Sequence, residues 1–406
     1  MTPLEDAQAF VLGSCPPLAP IEISFRDAVG LVLAEPVIST EQVPPFANTA
    51  VDGFAVHAAD VAHAPVDMVV ADEVAAGAAS DHELQPGECI RIMTGAPVPS
   101  GADAVVMVED SERLGDADGH ERVRLSRAVP VGAAVRAAGE DVEPGGELFV
   151  AGTVVAPPVA AVLASVNAAT VVAHPRLRVA VMSTGDELVS DGSPLEPGQI
   201  RESNKTMLAA LVAEAGCDVI DFGVVPDDEA TFERAIREAA TTCDAIVSSG
   251  GVSMGDYDVV KAVLGRIADM TWMQIAIKPA KPFAFGRLDD VPIFGLPGNP
   301  VSSLVSFELL ARPALRRMMG HRELTRPSVV AIADEPLQRR ADGKVQFMRV
   351  RAEFGDDGRL HVRPVGAQGS HQLAATALAD ALAVVPDGDG IAAGGEVATL
   401  SLRGDR

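Results

Sequence analysis

The hydrophobic pattern of the first 170 residues predicts mainly short strands. Residues 4–12 carry apolar side chains at helical spacing and are followed by Gly13, so they predict a short helix. Residues 21–40 predict a short strand and a short helix. Between residues 41 and 141, short apolar runs are separated by turns such as Gln85-Pro86-Gly87, which is typical of a β-rich domain. The clearest strand runs are 68–70, 89–93, 104–108 and 121–125.

From residue 178 onward, strands and helices alternate. Within the run Arg178–Met182 every residue after Arg178 is apolar, as expected of a parallel strand buried on both faces. Further strands are predicted over 218–222, 245–248 and 292–294, and helices over 204–215, 228–240, 258–267 and 301–319. This alternation predicts a parallel α/β sheet with helices on both faces. After Gly320 short strands return, and the last lies over Val397–Leu402.

These changes of character predict a multidomain α/β protein with a β-rich N-terminal insertion and a small C-terminal β-domain. The expected segments are a helix at 1–19 that packs on the central domain, a linking domain of 20–40 and 142–170, a β-rich domain of 41–141, a central α/β domain of 171–321 and a C-terminal β-domain of 322–406.

The chain is strongly acidic, with a net charge of −25 over 406 residues. Such a surface repels nucleic acid phosphates and anionic lipids, so we expect neither as a partner. Residues 322–406 carry 11 basic and 12 acidic side chains, whereas residues 1–321 carry 21 and 45. An acidic body that binds an anion must supply local cations, which makes lysines and arginines in loops candidate ligands.

The cysteine spacing and the absence of long apolar runs favour a cytoplasmic protein. Cys15, Cys89, Cys217 and Cys243 lie far apart without a CxxC pair, which favours free thiols over a disulfide or zinc framework. No run approaches the ~20 apolar residues of a membrane span. The N-terminal residues lack the basic region and apolar core of a signal peptide.

Four loops at the carboxyl ends of predicted strands are candidates for a ligand site, because such ends meet at one edge of an α/β sheet. They cover residues 183–187, 226–228, 248–253 and 295–300. Asn299 suits a helix N-cap and Pro300 the first helical position. Gly295 and Gly298 would let backbone N–H groups approach a phosphate at this helix end. Taken alone, this loop is equally compatible with a plain capped turn.

Charged side chains accompany these loops. Acidic residues at the same edge are Asp186, Glu187, Asp227, Asp228, Asp256 and Asp258. Each alone is typically a solvated cap, but several beside a phosphate favour Mg²⁺. Lys278 and Lys281, in a proline-rich segment anchored by apolar flanks, suit an oxyanion. Arg349 and Arg351 share one face of a predicted strand, which is either solvated or a further oxyanion site. We interpret His371 as structural.

Together these segments resemble the molybdopterin molybdenumtransferase family, which includes the C-terminal part of gephyrin. The resemblance rests on motifs in matching order: NTAVDGFAV, RIMTGAPVP, AAGEDV, STGDEL, SNKTML, SSGGVSMGDYD, KPAKPFAFG, GLPGNPVSS and GSHQL. It implies an elongated homodimer whose middle domain is similar to molybdopterin adenylyltransferase. It also implies Mg²⁺-dependent hydrolysis of adenylylated molybdopterin and transfer of molybdenum from molybdate to the dithiolene sulfurs. The adenylyltransferase that supplies the substrate is an expected partner.

The resemblance also implies roles for individual residues. The functional polar set is Asp52, Thr94, Asp141, Glu187, Asp228 and Asp258, of which Glu187, Asp228 and Asp258 are Mg²⁺ candidates. The cradle for the pterin and its phosphates is Ser249, Gly250, Gly251, Ser253, Gly298, Asn299 and Pro300. The molybdate pocket is Lys278, Lys281, Arg349 and Ser370. By the same resemblance Asp52, Thr94 and Asp141 would reach the middle domain of the other subunit.

Two departures and three alternatives accompany this interpretation. Ala280 stands where relatives often have Gly, and Phe54 where they often have Tyr. An adenylyltransferase would not need residues 1–170 or the C-terminal module. A non-catalytic, gephyrin-like scaffold would be expected to have lost part of its acidic set, which is intact here. Transfer of tungsten is a closer variant that the sequence leaves open.

Overall fold

The structure, a computed structural model, describes residues 1–117, 119–252 and 259–403. The chain forms two compact units. One contains residues 1–22, 30–34 and 172 onward, and the other contains residues 23–29 and 35–171. The division into five segments stays a prediction at that finer level.

The N-terminal helix is confirmed, whereas the helix expected within residues 21–40 is not formed. Helix α1 spans Leu4–Gly13 and buries Ala7 and Val11. The segment after it contains three short strands, β1 (Ile21–Ser24), β2 (Val32–Leu33) and β3 (Val37–Ile38). Between β1 and β2 the backbone makes only tight turns, and Gly30 adopts a φ of +87° there. A residue in that left-handed region ends a helix.

The second unit is β-rich, as predicted. Its elements are β4 (Asn48–Thr49), β5 (Gly53–Val56), β6 (Val66–Val74), β7 (Glu88–Ile92), β8 (Ala104–Met107), the 3₁₀ turn Val108–Asp110, β9 (Ser111–Ala117), β10 (His120–Leu125), β11 (Val135–Arg136), β12 (Glu147–Phe149) and helix α2 (Pro157–Ser165), with β13 (Thr170–His174) leading out. Six strands form one sheet in the order β8-β5-β7-β6-β10-β9. Phe54, Met68 and Val123 are buried in its core.

The predicted α/β sheet is present, with an antiparallel addition. Its elements are β14 (Arg178–Thr184), β15 (Leu188–Val189), β16 (Ile200–Arg201), α3 (Asn204–Glu214), β17 (Asp218–Val225), α4 (Glu229–Thr242), β18 (Ala245–Ser249), α5 (Val259–Ile267), β19 (Asp269–Gln274), β20 (Ile277–Lys278), β21 (Pro282–Leu288), β22 (Val291–Leu296), α6 (Pro300–Ser306) and α7 (Arg312–Met318). The sheet order is β17-β14-β18-β22-β21-β19. The first four strands are parallel, and β21 and β19 are antiparallel. Leu288 pairs with Val291, so only two residues connect β21 to β22, which permits a hairpin and excludes a parallel crossover.

Helices cover both faces of this sheet, as predicted. Along β14, Val179 and Val181 belong to the core under α3 and α6, whereas Ala180 and Met182 belong to the core under α4 and α5. This alternation follows from the two-residue period of a strand. The four parallel strands are therefore buried on both sides, and polar groups concentrate at their carboxyl ends.

The helix after β22 is interrupted by a π-helical turn at Phe307–Ala311, between α6 and α7. Pro313 follows this turn and lacks the N–H that a regular helix would use, and such irregular turns are a known way to accommodate it. Within the turn, Glu308 is buried and receives two hydrogen bonds of 2.9 Å from Arg326. The π-turn is thereby tied to the chain segment that leads into the C-terminal strands.

The C-terminal strands form a sheet that closes on itself. The elements are β23 (Ser328–Ala333), β24 (Leu337–Gln338), β25 (Val345–Phe354), β26 (Leu360–Pro364), α8 (Leu373–Ala377), β27 (Ala381–Val385), β28 (Gly390–Ile391) and β29 (Glu396–Ser401). The order is β20-β25-β26-β23-β29-β27, and β25 also pairs with β27. Because β20 joins this sheet, the lysine segment is fixed against the C-terminal strands. Within the described ranges, no helix is both long and apolar enough to cross a bilayer.

Candidate functional site

A cleft of about 580 Å³ lies at the carboxyl ends of β14, β18 and β22. The loops predicted to converge at this edge do so. The residues that line the cleft are Ser183, Thr184, Gly185, Glu187, Leu188, Ile200, Arg201, Glu202, Ser203, Asn204, Asp227, Ser249, Gly250, Gly251, Val259, Gly298, Asn299, Pro300 and His371. The lining therefore combines hydroxyls, amides and glycine backbone with the carboxylates of Glu187, Glu202 and Asp227.

Asn204 lines the cleft and links two of its loops by hydrogen bonds. Its Nδ2 donates to Ser249 Oγ at 2.8 Å and to the Gly298 carbonyl at 2.7 Å. Both amide hydrogens are used, which fixes the orientation of the side chain. Its Oδ1 is buried without a hydrogen-bond partner in the described part of the chain. A buried acceptor is costly when it stays unpaired, so the two hydrogen bonds of Nδ2 are obtained at the expense of this oxygen.

Two of the predicted cradle glycines are required by the backbone. Gly250 has a φ of +103°, and a Cβ there would lie 2.7 Å from Thr184 Oγ1 and 2.8 Å from the Thr184 carbonyl oxygen. Gly251 also has a positive φ, of +68°. Gly298 differs, because a Cβ on it would come no closer than 4.0 Å to Gly250. The fold therefore does not require glycine at position 298, and the missing side chain leaves space in the cleft.

The expectation that Gly295 approaches a ligand is wrong. It lies inside β22 and is buried, and a Cβ there would meet Val252 Cγ1 at 2.8 Å and Ala284 Cβ at 3.0 Å. Gly295 is thus a close-packing residue of the sheet. Asn299 and Pro300 do occupy the N-cap and first helical positions of α6. Within the described residues the Asn299 side chain makes no capping hydrogen bond, and Asn299 lines the cleft.

The acidic residues divide into those that line the cleft and those that serve the fold. Glu187 and Asp227 line it and are exposed. Asp228 does not line it, because its carboxylate caps α4 and accepts the Thr231 N–H at 2.9 Å. Hydrogen bonds from Thr231 hold the pKa of Asp228 below its usual value. Asp186 accepts the backbone N–H of Asp227 at 3.0 Å and so shapes the same loop.

Three residues that were predicted at this edge lie outside the described residues. They are Ser253 of the predicted cradle and the acidic residues Asp256 and Asp258. Among the residues that are described, no three His, Cys, Asp or Glu side chains come together as a metal site. Glu187 and Asp227 still offer the carboxylate oxygens that Mg²⁺ prefers, and they line the same cleft as Gly250, Gly251 and Gly298.

A second cavity, of about 380 Å³, contains the predicted lysines. Lys278, Lys281 and Ser370 line it together with Gln368 and Gly369. Both lysines are exposed. Lys278 lies in β20, beside Gln346 of β25. Lys281 is held by its carbonyl, which accepts the Ile275 N–H at 2.7 Å. Ala280, between the lysines, is buried at a φ of +73°, a conformation that glycine adopts more readily.

Arg349, predicted in the molybdate pocket, does not line it. The side chain is only 1% exposed. Its guanidinium donates to the carbonyls of Gln372, Ala367 and Gly369 and to Thr376 Oγ1, at 2.7–3.1 Å. Burial lowers its pKa below the usual value. Arg351, two residues along β25, lines a separate depression with His361 and Arg363.

Asp52, Thr94 and Asp141 belong to the second unit. The two turns that carry Asp52 and Thr94 are bound to each other, because Asp52 Oδ1 accepts both the N–H and the hydroxyl of Thr94 at 2.7 Å. These bonds, the backbone one first, hold the pKa of Asp52 below its usual value. The adjoining Gly53 packs so tightly that a Cβ would lie 2.0 Å from the Val106 carbonyl oxygen. Asp141 is exposed, and its N–H donates to the Val43 carbonyl.

Several cleft residues were missed by reasoning from the sequence. Arg201, Glu202 and Asn204 approach the cleft through β16 and the start of α3. Glu202 accepts the Ser183 hydroxyl at 3.0 Å and so links two of the loops. His371, interpreted as structural, is exposed and lines the cleft. The available signal for Asn204 was its position at the start of the predicted helix over 204–215, directly after Ser203.

Comparison with known families gives one consistent result along the chain. Residues 2–167 match the family model described as MoeA N-terminal region (domain I and II). Residues 180–317 match the one described as probable molybdopterin binding domain. Residues 337–402 match the one described as MoeA C-terminal region (domain IV).

Individual relatives agree with the family models. A protein of Haemophilus influenzae named molybdopterin molybdenumtransferase is 35% identical over 401 residues, which is 98% of each chain. One of Mycobacterium tuberculosis named molybdopterin molybdenumtransferase 2 is 40% identical over 378 residues, which is 91% of each chain. The crystal structure of the molybdopterin biosynthesis moeA protein from Pyrococcus horikoshii superposes with a TM-score of 0.80 at 29% identity, covering 98% of this chain and 100% of that one.

Proposed function

Since this chain belongs to the molybdopterin molybdenumtransferase family of molybdenum cofactor biosynthesis enzymes, we propose that it inserts molybdenum from molybdate into adenylylated molybdopterin and releases AMP. In this reaction water hydrolyses the phosphoanhydride bond and AMP leaves. The two dithiolene thiols bind molybdenum and give their protons to one oxide ligand of molybdate, which departs as water. No change of oxidation state is needed.

The observation that carries this proposal is that two anion-suited cavities adjoin. Asn299 lines both. The loop that follows β26 supplies Gly369 and Ser370 to the lysine cavity and His371 to the cleft. A molecule in the cleft and an oxyanion between the lysines would therefore be neighbours. Holding two reactants side by side is itself a large catalytic contribution.

The cleft fits a nucleotide-linked pterin by its donor and acceptor groups. Asn204 and Ser203 line the cleft beside the glycines and supply polar groups for the pterin. The backbone at Gly250, Gly251 and Gly298 is exposed to the cleft and suits phosphate oxygens. Arg201 lines the same cleft and supplies a positive charge in an otherwise acidic protein. In the smaller cavity, Lys278, Lys281 and the Ser370 hydroxyl are the groups that would bind molybdate.

Mg²⁺ would bind at the same edge of the α/β sheet, through the carboxylates there. Glu187 and Asp227 line the cleft, and we place the ion with them, with Asp258 as a further candidate. When bound, Mg²⁺ supplies charge neutralisation on the phosphates. We assign Asp228 a smaller part than the sequence did, since its carboxylate already caps α4.

The polar residues of the second unit complete the proposal. Asp52, Thr94 and Asp141 would serve the cleft of a partner subunit in a homodimer, as the family resemblance implies. The Asp52–Thr94 pair is exposed, and Asp52 is held ionised by its hydrogen bonds. We propose that the protein acts in the cytoplasm, where its four buried, free cysteines are compatible with a reducing environment, and that a molybdopterin adenylyltransferase supplies its substrate.

The test is single-turnover release of AMP from adenylylated molybdopterin with Mg²⁺, across a molybdate titration. The wild type should release AMP faster as molybdate is added. Lys281→Ala removes one charged hydrogen-bond donor, so it should raise the half-maximal molybdate concentration about 10- to 100-fold. Lys261→Ala, in α5 and outside both cavities, is the matched control and should behave as the wild type.

Two outcomes would overturn the proposal. Formation of adenylate from ATP and molybdopterin, without molybdate-stimulated AMP release, would identify an adenylyltransferase. Tight binding of the adenylate with no release under any condition would identify a carrier or scaffold.

A further inference from the structure

Strand β17 contains a β-bulge near its carboxyl end. Its parallel register with β14 is regular as far as Val181, which pairs with Asp221. The next residue of β14, Met182, pairs with Gly223, so Phe222 is an extra residue without a partner in β14. Gly223 adopts a φ of +76°, a backbone conformation that glycine takes at little cost. From this point on, each residue of β14 lies opposite the residue of β17 one position further along the chain than in a regular strand.

The burial of the side chains around the bulge shows its effect. Phe222 packs against the core under α4 and α5, and Val225, three residues later, belongs to the same core. Because the side chains of a regular strand alternate between its two faces, residues three apart would face opposite sides of the sheet. The bulge therefore changes which side chains of the strand end face the core, and with them the direction in which the chain leaves the sheet.

One ion pair holds the bulge. Asp221 Oδ1 accepts the N–H of Gly223 at 2.7 Å, so this carboxylate bridges the extra residue. Both oxygens of Asp221 also accept hydrogen bonds from Lys205 Nζ, at 2.7 and 2.6 Å. The Lys205 side chain is only 15% exposed, and its hydrogen bonds hold the pKa of Asp221 below its usual value. Since Lys205 belongs to α3, which begins at the cleft, the pair fixes the bulge to the same helix that contributes to the site.

The bulge determines which residue after β17 reaches the cleft. With the bulge, Thr184 at the end of β14 pairs with Val225. Two residues further along each segment, Asp186 accepts the N–H of Asp227 at 3.0 Å, and Asp227 lines the cleft. A regular register would place Pro226 opposite Asp186 instead, and proline has no N–H to donate. Asp227 would then occupy the position that caps α4.

We propose that Lys205 and Asp221 are positioning residues, which fix the bulge of β17 and thereby place the carboxylate of Asp227 in the cleft. The inference rests on the proposed function, which assigns Mg²⁺ to Glu187 and Asp227. Lys205 and Asp221 do not line the cleft themselves, so they act through the backbone of β17 and not by contact with the substrate.

The first readout is amide hydrogen exchange over residues 223–227 of the full-length protein, which follows the hydrogen bonds of the bulge without metal or substrate. Lys205→Met removes the two bonds to Asp221, and Asp221→Ala removes the bond to Gly223 as well. Both variants should accelerate exchange of these amides, Asp221→Ala more strongly. Lys205→Arg keeps a charged donor for both carboxylate oxygens, so its exchange should be as slow as in the wild type. Arg237→Met, which breaks an exposed ion pair within α4, is the matched control and should also behave as the wild type.

The second readout is the Mg²⁺ concentration that gives half-maximal AMP release in a single turnover. Residues that hold a metal ligand in place typically contribute roughly 10–100-fold to metal affinity, so Lys205→Met and Asp221→Ala should raise this concentration about 10-fold. The rate at saturating Mg²⁺ should stay close to that of the wild type. Asp227→Asn should also raise the half-maximal concentration. The double variant Asp221→Ala/Asp227→Asn should be no worse than Asp227→Asn alone, because both changes affect the same carboxylate.

Unchanged exchange over residues 223–227 in both Lys205→Met and Asp221→Ala would overturn the positioning role. Multiplied effects of Asp221→Ala and Asp227→Asn in the double variant would overturn it as well, since Asp221 would then act on another part of the site. AMP release by the wild type that is independent of Mg²⁺ would overturn the metal assignment of the proposed function, while the exchange rates would still decide whether the ion pair fixes the bulge.

Discussion

Breaking the buried ion pair in the π-helical turn should strongly destabilise the α/β unit, which we define as the chain from β14 to α7. Arg326 donates from Nε and Nη2 to the two oxygens of Glu308, each at 2.9 Å, and both side chains are only 2% exposed. Burial alone would lower the pKa of Arg326, but the hydrogen bonds that Arg326 donates to Glu308 and Glu214 outweigh it and raise the pKa above its usual value. The guanidinium is therefore charged in the folded protein and depends on these carboxylates.

Replacing Glu308 by Gln keeps the shape and removes the charge. Arg326 then keeps its ion pair with Glu214, at 2.9 Å, whose side chain is 39% exposed. Arg312, 3.8 Å from Glu308, loses a buried counter-charge as well. Breaking a buried ion pair on one side costs about 3–5 kcal/mol. Because two buried cations are affected, we expect the upper half of that range in the free energy of unfolding.

The assay is urea unfolding followed by the fluorescence of Trp272, the only tryptophan, which lies in β19 of this unit. The control is Glu396→Gln, which breaks the Arg359–Glu396 pair, whose side chains are 49% and 63% exposed. Exposed pairs contribute about 0–1 kcal/mol, so this variant should unfold near the wild type. A loss of less than about 1 kcal/mol in Glu308→Gln, equal to the control, would refute the reasoning.

Three further predictions concern the site and the C-terminal strands. Gly250→Ala should destabilise the α/β unit, as measured by urea unfolding followed by Trp272 fluorescence, because the new Cβ would lie 2.7 Å from Thr184 Oγ1. Gly298→Ala should leave stability unchanged and weaken binding of adenylylated molybdopterin. The reverse pattern would contradict the roles given to these two glycines. Thr94→Val removes one of the two hydrogen bonds that Thr94 donates to Asp52, so the pKa of Asp52 should rise toward its usual value. NMR titration measures this pKa, and an unchanged value would disprove the pairing. The hydrogen bond to Asp334 raises the pKa of His361 above 6.5, so the stability it contributes is fully present below about pH 6.5 and is lost as pH rises through the folded pKa. Amide exchange of β26 should thus differ between wild type and His361→Asn at low pH and converge at high pH, and a constant difference would exclude this linkage.

The alternation of strands and helices was predictable because its cause is local. The buried strand residues from Val179 to Met182 and the Asn299-Pro300 start of α6 were predicted from side-chain type and spacing, and both appear in the structure. The antiparallel β19 and β21 were not predicted as strands of this sheet. Their place depends on a two-residue hairpin at Asp289-Asp290, which the pattern of apolar residues alone does not distinguish from a surface turn.

Residue roles within the site were harder to predict than the loops themselves. Asp227 and Asp228 are neighbours, yet one lines the cleft and the other caps α4, a difference set by backbone direction at the strand end. Arg349 stands on a strand face that suggests exposure, and only the loop some twenty residues later reveals that carbonyls surround it. Such long-range contacts leave no trace in the spacing of residues along the chain.

The most direct test of the central claim is AMP release by the wild-type protein in a single turnover of adenylylated molybdopterin with Mg²⁺, with and without molybdate. The account predicts that molybdate accelerates release and that molybdenum is recovered on molybdopterin in step with AMP. Release at the same rate without molybdate, or no molybdenum bound to the product, would contradict it.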